Sequence, residues 1–276
     1  MPDFEKELSD LKELIYNRKP LILTGAGIST ASGIPDYRDA NGVRRGKAPM
    51  MFQEFMASPE ARKRYWARSM VGWPAVRDAM PNSTHKALAE LETGQHISGV
   101  VTQNVDALHG KAGSHRVTEL HGNLHRVVCL DCGKRMQRED VQAELKERNP
   151  DLQDINAVLA PDGDAHLAAS YLNGFRLAGC PCCGSELLKP DVVFFGEGVS
   201  ADSAEAAWEG VRQAQALVAI GTSLMAYSSF RLCKLIVELG KPLILINIGK
   251  TRADTICTLK IETPCQDILP WLAAQG

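Results

Sequence analysis

The sequence predicts an α/β protein that has a parallel sheet with helices on both faces, together with a smaller domain that contains paired cysteines. Five short, continuously apolar runs alternate with helical patterns along the 276 residues. Such runs are typical of parallel strands that are covered by helices on both faces. Glycine or polar residues follow four of the runs, and two CxxC pairs lie between the second and the third.

The individual elements can be placed from the same patterns. The strand-like runs are Pro20–Thr24, Ile97–Thr102, Asp191–Phe195, Ala216–Ile220 and Pro242–Ile246. Helical patterns lie between or around them, at Asp3–Asn17, His85–Glu92, Ala201–Gln213, Ser229–Leu239 and Gln266–Ala274. Because helical segments separate the strands, we expect all five strands to pair in one parallel sheet.

Four of the predicted strands end in polar or glycine-containing motifs. These motifs are Gly25-Ala26-Gly27, Gln103-Asn104-Val105-Asp106, Gly221-Thr222-Ser223 and Asn247-Ile248-Gly249. In open parallel sheets, ligands bind beyond the carboxyl ends of the strands. The arrangement therefore predicts a nucleotide crevice and a Rossmann-like sheet.

Composition and charge exclude several classes of protein. Hydrophobic residues make up 45% of the chain and charged residues 23%, which is ordinary for a globular protein. The formal charge of −2 gives no broad basic field for nucleic acid or an anionic membrane. No apolar run reaches membrane-spanning length, and the acidic N-terminus is unlike a signal peptide. We therefore expect a cytoplasmic protein with no specific nucleic-acid or membrane partner.

The cysteine pairs predict one structural zinc ion. Cys129 and Cys132 form one CxxC pair, Cys180 and Cys183 form the other, and glycine follows each. In a chain without a secretion signal, two such pairs indicate metal, whereas a thioredoxin-like redox site needs only one. Cys182 is an alternative ligand, but the CxxC spacing favours its neighbours. The 47 residues between the pairs, 133–179, exceed the usual zinc-ribbon spacing and must contain an insertion.

The segment Thr24–Asp39, TGAGISTASGIPDYRD, departs from the common dinucleotide fingerprint. That fingerprint would place a third glycine at position 30, where this chain has Thr, and the next glycine is Gly33. A proline and charged residues follow. The glycine loop therefore carries an extension where a helix should already run.

The extension and six other motifs together resemble the sirtuin family. The motifs are GAGIS…SGIPDYR, TQNVDALH, ELHGNLH, the paired CxxC motifs, LKPDVVFFGE, GTSL and NIG, in the order typical of sirtuins. The resemblance runs from about Leu21 to Cys265. Two positions depart from the common pattern: Ala107 stands where glycine is frequent and Tyr37 where Phe is common. The resemblance implies an NAD-dependent protein-lysine deacylase that releases nicotinamide and O-acyl-ADP-ribose. Protein mono-ADP-ribosyl transfer on the same scaffold is the alternative.

The resemblance also assigns a catalytic histidine. His121 lies in the motif Glu119-Leu-His-Gly122 and is expected to accept a proton from a ribose hydroxyl, after the acyl oxygen has attacked ribose C1′ and nicotinamide has left. His109 is expected to order its loop, and His85 to begin or pack a helix. His115 and His125 are expected to have no catalytic role.

The cofactor contacts that the resemblance implies lie in the strand-end motifs and the extension. They are Gly25, Ala26, Gly27, Ile28, Ile34, Asp36, Arg38, Gln103, Asn104, Val105, Asp106, Gly221, Thr222, Ser223, Asn247, Ile248, Gly249 and Cys265. Ala26, Ile34, Asn104 and Asp106 match the nicotinamide pocket. For the apolar members the alternative is core packing, which is favoured for Ile28, and for Asp106 it is a helix cap or a loop turn.

The substrate is expected to be the acylated lysine side chain of a protein. Phe195, Gly196 and Glu197 resemble the strand to which a substrate peptide adds. The stretch Arg64–Pro74 resembles class II sirtuins, and Tyr65 and Arg68 are spaced like a pair that holds acidic acyl groups. Residues three apart share one helix face, so both side chains can meet one carboxylate. The alternative is a solvated helix with an aromatic anchor.

The domain organisation follows from the order of the motifs. Residues 1–40, 81–122 and 188–276 are predicted to form the NAD-binding domain. Residues 41–80 are predicted to form the helical part of the small domain with the cofactor loop, and residues 123–187 the zinc-binding module.

Two other functions remain as alternatives. An NAD oxidoreductase would call for the missing glycine near position 30, and a zinc-ribbon nucleic-acid module would call for basic residues where 139–169 are rich in Asp and Glu.

Overall fold

The central sheet is built from four of the predicted apolar runs and two shorter strands. A computed structural model describes residues 2–45, 48–153, 155, 163–165, 167, 172 and 174–275. Within these residues the strands are β1 (Leu21–Thr24), β2 (Gly99–Thr102), β3 (Val117–Glu119), β4 (Gly122–Cys129), β5 (Arg135–Gln137), β6 (Leu188–Val192), β7 (Leu217–Ile220), β8 (Leu243–Ile246) and β9 (Leu259–Ile261). Six of them form one sheet in the order β3-β2-β1-β7-β8-β9, with every pairing parallel.

Helices cover both faces of this sheet, as the sequence predicts. The helices of the described residues are α1 (Pro2–Arg18), α2 (Phe52–Ala57), α3 (Pro59–Asp78), α4 (Ser83–Thr93), α5 (Leu108–Lys111), α6 (Arg138–Arg148), α7 (Ala201–Gln213), α8 (Tyr227–Glu238) and α9 (Cys265–Ala273). Residues of α1, α4 and α9 pack on one face in a core that includes Ile22. Residues of α7 and α8 pack on the other face with Leu23. Adjacent residues of β1 thus serve opposite cores, which explains its continuous apolarity.

The prediction for Asp191–Phe195 is wrong in its sheet and in its direction. The strand there is β6, which ends at Val192 and pairs antiparallel with β4 in a second sheet of order β5-β4-β6. The apolar pattern continues past Val192, but the chain turns there, with Glu197 N–H donating to Phe194 O. The sequence also gave no signal for β3 and β9, because both are three-residue edge strands of mostly half-buried residues.

Helix α3 supplies the core of the smaller region. Its Trp66 and Trp73 are almost fully buried, and the Arg138 guanidinium of α6 lies 5.1 and 4.8 Å from the two ring centroids. Pro74 lies inside α3 and has no N–H for the carbonyl four residues earlier. That carbonyl, of Met70, accepts a 2.7 Å hydrogen bond from Gln142 of α6 instead. The proline is therefore compatible with the helix because a neighbouring helix replaces the lost donor.

Part of the insertion between the CxxC pairs packs against α3. A Cβ atom added to Gly72 would lie 2.4 Å from Gly163 O and 2.7 Å from Ala165 N. Ala165 N–H donates to Arg68 O at 3.0 Å. Residues 154, 156–162, 166, 168–171 and 173 of the insertion lie outside the described residues, and several of them belong to the acidic stretch 139–169. The predicted domain boundaries stay predictions, although strand pairing places residues 188–192 with the small sheet.

Candidate active site

A large cavity opens at the carboxyl ends of β2, β1, β7 and β8. These four strands are adjacent and parallel, so the motifs that follow them meet at one edge, as predicted. The cavity has a volume of about 1050 Å³. Of the predicted site residues, the lining includes Ala26, Gly27, Ile34, Asp36, Arg38, Tyr65, Gln103, Asn104, Val105, Asp106, His121, Phe195, Gly196, Glu197, Gly221, Thr222, Ser223, Asn247 and Ile248.

The glycine loop after β1 packs tightly against the loop after β7. A Cβ atom added to Gly25 would lie 2.6 Å from Thr222 Cβ, and Gly27 N–H donates to Gly221 O at 2.8 Å. Two short 3-10 helices, Ala26–Ile28 and Thr30–Ser32, follow the loop in place of a long helix. Gly33 then reverses the chain with a φ of +85°. The missing glycine at position 30 is thus explained by a different backbone path.

In the structure the extension continues to Arg45 and folds back on itself beside the cavity. Arg38 Nη1 donates to Gly42 O at 2.7 Å, and Asp36 pairs with Arg45 at 2.9 Å. Lys250 N–H donates to Ala40 O, which ties the extension to the loop after β8. The part of the extension around Ala40 is therefore held by the loop that follows β8.

A hydrogen-bonded set of polar groups lies on the β2 side of the cavity. Ser29 Oγ donates to Asp106 Oδ2 at 2.7 Å and accepts from Asn104 Nδ2 at 3.0 Å. Asp106 Oδ1 accepts from Leu108 N–H two residues later, so this carboxylate also forms the loop turn that was one of the alternative interpretations. Ala107 between them has a φ of +60°, the left-handed region that favours glycine. Asn104 and Asp106 line the cavity while serving this network.

His121 lies at the same edge of the sheet with both ring nitrogens engaged. Its Nδ1 is 3.1 Å from Gln103 O, and its Nε2 is 2.9 Å from Ser228 Oγ. A carbonyl oxygen can only accept, so Nδ1 carries the proton in the neutral ring and Nε2 presents its lone pair. Burial lowers the pKa of His121 from its ordinary value, and the Gln103 carbonyl opposes part of this effect. The ring is accordingly neutral near pH 7, which suits a proton acceptor.

The four predicted zinc ligands come together in one cluster. The Sγ atoms of Cys129, Cys132, Cys180 and Cys183 all lie within 4.8 Å of one another, and two pairs are 3.6 Å apart. Four thiolates about 2.3 Å from a zinc ion at the corners of a tetrahedron would be about 3.8 Å apart, so the set fits one zinc ion. Gly133 and Gly184 have φ of +73° and +75° and form equivalent turns that donate to the first cysteine carbonyl of each pair. Exposed Cys182 lies outside the cluster.

Comparison with known proteins identifies the family. The profile of the Sir2 family matches residues 25–228. The chain is 54% identical to NAD-dependent protein deacetylase 3 of Pseudomonas syringae pv. tomato, over 97% of this chain and 95% of that protein. The chain belongs to the Sir2 family. It is also 44% identical to an NAD-dependent protein deacetylase of Bordetella bronchiseptica, over 96% of this chain and 98% of that protein.

Solved Sir2 structures share the fold over nearly the whole chain. One is a complex described as Sir2 with a p53 peptide and NAD+, which has a TM-score of 0.76 and 31% identity over 98% of each chain. Another contains the inhibitor EX-527, 2′-O-acetyl-ADP-ribose and a deacetylated p53 peptide, with a TM-score of 0.74 and 30% identity over 97% of this chain and 98% of that chain. The predicted family and the predicted α/β fold with a zinc-binding domain are thereby confirmed.

Some of the predicted Sir2 site residues lie outside the cavity lining. Ile28 is fully buried in the core beside the sheet, as the packing alternative proposed, and Cys265 packs in the same cluster at the start of α9. Gly25 meets Thr222, and a Cβ atom on Gly249 would lie 2.1 Å from Ala40 O. Their contribution to cofactor binding stays a prediction.

The predicted substrate segment lies at the mouth of the cavity. Phe195 is 40% exposed, and its carbonyl accepts from Phe52 N–H at 2.9 Å. Arg44 of the extension lies 5.0 Å from the Phe195 ring centroid. Glu197 turns inward, where its carboxylate accepts from Lys189 Nζ and Phe194 N–H. Glu197 therefore shapes the turn, and its side chain is already engaged.

Tyr65 and Arg68 of α3 have different contacts in the structure. Tyr65 lines the cavity within an aromatic cluster that includes Phe55 and Phe194. Arg68 is not among the lining residues in the described part of the chain. Its Nε donates to Ala165 O at 3.1 Å, and its Nη2 lies 3.7 Å from Asp164 Oδ2, whose side chain is 2% exposed. The shared contact with an acyl carboxylate therefore stays a prediction, and the guanidinium has a second, structural task.

The other histidines take supporting positions. His109 Nε2 is 2.9 Å from Thr24 Oγ1, and the His85 and His109 rings pack at 5.0 Å inside the protein. His125 Nε2 donates to Asp106 O at 3.1 Å, so it supports the loop of the polar network.

Sequence reasoning missed Ser228 and Ser29, because a single serine has no spacing that distinguishes it. The predicted helix began at Ser229, two residues after the actual start of α8, and so left Ser228 outside it.

Proposed function

We propose that the chain is an NAD-dependent protein-lysine deacylase in which His121 is the general base. The observation that supports this most directly is the position of His121, whose neutral Nε2 lies at the edge of a cavity that also exposes Asn104 and Asp106. Its relatives are named NAD-dependent protein deacetylases. The products that we expect are nicotinamide, the free lysine and O-acyl-ADP-ribose.

NAD is the co-substrate, and it supplies an electrophilic ribose carbon when its bond to nicotinamide breaks. In our proposal Asn104, Asp106 and the apolar Ile34 hold the carboxamide and ring of nicotinamide. Thr222 and Ser223 offer hydroxyl donors on the β7 side, and the diphosphate lies beside Ala26 and Gly27 of the glycine loop, which line the same cavity. The tight contact of Gly27 with Gly221 supports this assignment, because side chains there would push the two loops apart.

His121 accepts the proton of a ribose hydroxyl through Nε2. Its Nδ1–H remains bonded to Gln103 O, so the ring can take the proton without turning. Because the neutral form is the base, activity is full above the pKa of His121 and declines as the pH falls through it. Burial lowers that pKa, so the acid limb of kcat/KM should lie below that expected for an exposed histidine, which a pH–rate profile will measure.

The extension and the segment around Phe195 keep water from the reacting atoms. Both line the cavity, and Tyr37 and Arg44 of the extension contact the Phe195 ring. We propose that an extended substrate peptide pairs with the backbone near Phe195–Glu197, which gives affinity with little side-chain selectivity. The acyl chain then meets apolar side chains, among them Tyr65, Val76, Leu124 and Phe194. This lining supports acyl groups longer than acetyl.

A panel of acyl peptides tests the proposal. Purified protein is incubated with NAD and acetyl-, succinyl-, glutaryl- or lipoyl-lysine peptides, and the products are followed by mass spectrometry. We expect one nicotinamide and one O-acyl-ADP-ribose for each acyl group removed. Formation of NADH would overturn the proposal in favour of an oxidoreductase. ADP-ribose attached to protein without loss of the acyl group would overturn it in favour of ADP-ribosyl transfer.

A further inference from the structure

The first turn of α8 contacts the proposed base directly. Ser228 lies at the second residue of this helix and also lines the cavity. Its Oγ is 2.9 Å from His121 Nε2, across 107 residues of sequence. The chain therefore places a hydroxyl on the one nitrogen that the reaction needs.

The direction of this hydrogen bond follows from the partner of the other ring nitrogen. Nδ1 of the neutral ring donates to Gln103 O, so Nε2 has no proton and can only accept. Ser228 O–H is consequently the donor. A hydroxyl is also able to accept, so it can turn its proton away when Nε2 becomes protonated.

A second serine of the same turn closes a ring of hydrogen bonds. Ser229 Oγ donates to Gln103 Oε1 at 2.9 Å, and Gln103 Nε2 donates to Thr222 Oγ1 at 2.9 Å. Since Gln103 O also holds His121, the start of α8 is joined to His121 both directly and through Gln103. Such a network fixes the position of α8 and the orientation of the imidazole together.

We propose that Ser228 is a positioning residue for His121, which holds Nε2 toward the cavity in the free protein and yields it to the ribose hydroxyl during the reaction. This inference rests on the proposed role of His121. In the step itself, the ribose O–H bond breaks and an Nε2–H bond forms, while the Ser228 O–H bond stays intact. Ser228 then accepts from the new N–H, which stabilises the protonated ring.

The surroundings of His121 favour this role over a purely electrostatic one. Among the described residues, no charged side chain contributes to the lowered pKa of His121, which comes from burial. Orientation of the ring therefore depends on its two neutral hydrogen bonds. Loss of the Ser228 contact leaves the imidazole with the Gln103 hydrogen bond alone.

Two serine variants test the contact in the free protein. ¹⁵N NMR of the His121 imidazole should show that Ser228→Ala moves the Nε2 resonance and leaves Nδ1 nearly in place, while Ser228→Thr resembles the native protein. Ser203→Ala, at the third residue of α7 and not among the described residues that line the cavity, is the matched control. An unchanged Nε2 resonance in Ser228→Ala would overturn the proposal.

A kinetic comparison tests the function of the contact. Exchange of labelled nicotinamide into NAD reports the first step, which needs no proton transfer to His121, and peptide deacylation reports the later one. Ser228→Ala should lower deacylation by about two- to tenfold, the effect of one ordinary hydrogen bond, and leave exchange unchanged. Ser228→Thr should restore deacylation.

The outcomes separate this inference from the proposed function. An equal loss of exchange and deacylation in Ser228→Ala would mean that Ser228 only supports α8, and unchanged deacylation would mean that the contact has no function; either overturns the inference. If His121→Ala deacylated at the native rate, the proposed base would be wrong whatever the serine variants show.

Discussion

The central parallel sheet differs from the zinc region, which consists of β4–β6 and the four clustered cysteines, in what stabilises it. All residues of the four inner strands β2, β1, β7 and β8 are buried, and apolar residues predominate in each of them. In the zinc region, β4 alternates irregularly between buried and half-buried residues, and β5 is mostly exposed. The sheet is held by uniform burial, whereas the small region depends on four thiolates and a few large side chains of α3. The two regions should therefore fail in different ways.

The largest effect should come from removing a zinc ligand. Metal binding to a small domain contributes directly to its folding free energy. Cys132→Ser should lose the approximately one zinc ion per chain, expose the segment around β4–β6 to proteases, and leave the central sheet protected against hydrogen exchange. Metal analysis and limited proteolysis measure this. Cys182→Ser is the matched control and should keep its zinc, while full zinc retention in Cys132→Ser would refute the ligand set.

The second largest effect should come from replacing His121, which should lower the deacylation rate and leave the stability of the protein unchanged. His121→Ala removes the proposed base, and general-base catalysis contributes on the order of a hundred- to ten-thousandfold. Zinc content and Tm should stay close to the native values, since the side chain is only half-buried and leaves no large cavity. His115→Ala, an exposed histidine, is the control. Retention of most of the deacylation rate in His121→Ala would contradict the assignment.

The same contrast explains what could be predicted from sequence. Continuous apolar runs gave the inner strands to within two residues, and four strand-end motifs gave the crevice, because both signals are local. The CxxC pairs gave the zinc ligands for the same reason. The prediction for Asp191–Phe195 names the wrong sheet because an apolar run does not specify its partner strand. Arg138 between two tryptophans and Ser228 beside His121 depend on contacts between residues far apart in sequence, which no local pattern encodes.

A smaller effect, on stability, should result from a substitution that pushes α3 and the insertion apart. In an exposed helix, Gly→Ala would stabilise by about 0.5–1 kcal/mol. At Gly72 the added Cβ meets backbone atoms of Gly163–Ala165 at 2.4–2.7 Å, so Gly72→Ala should destabilise instead, by about 1–3 kcal/mol. Gly210→Ala in α7 is the matched control, because its Cβ would meet only the Leu21 side chain at 3.3 Å. Equal Tm values for the two variants would contradict the contact.

The smallest effect concerns Arg68, where two roles can be distinguished. If Arg68 binds an acyl carboxylate, Arg68→Met should depress succinyl- and glutaryl-lysine turnover about ten- to a hundredfold more than acetyl-lysine turnover, which is the effect of a charge-assisted hydrogen bond. Because the guanidinium contacts Ala165 O and buried Asp164, we instead expect a modest loss on every acyl substrate. The stability loss should be about 1 kcal/mol, since Arg68 is partly exposed and screened. Selective loss of turnover on acidic acyl substrates would instead support direct recognition of the acyl group by Arg68.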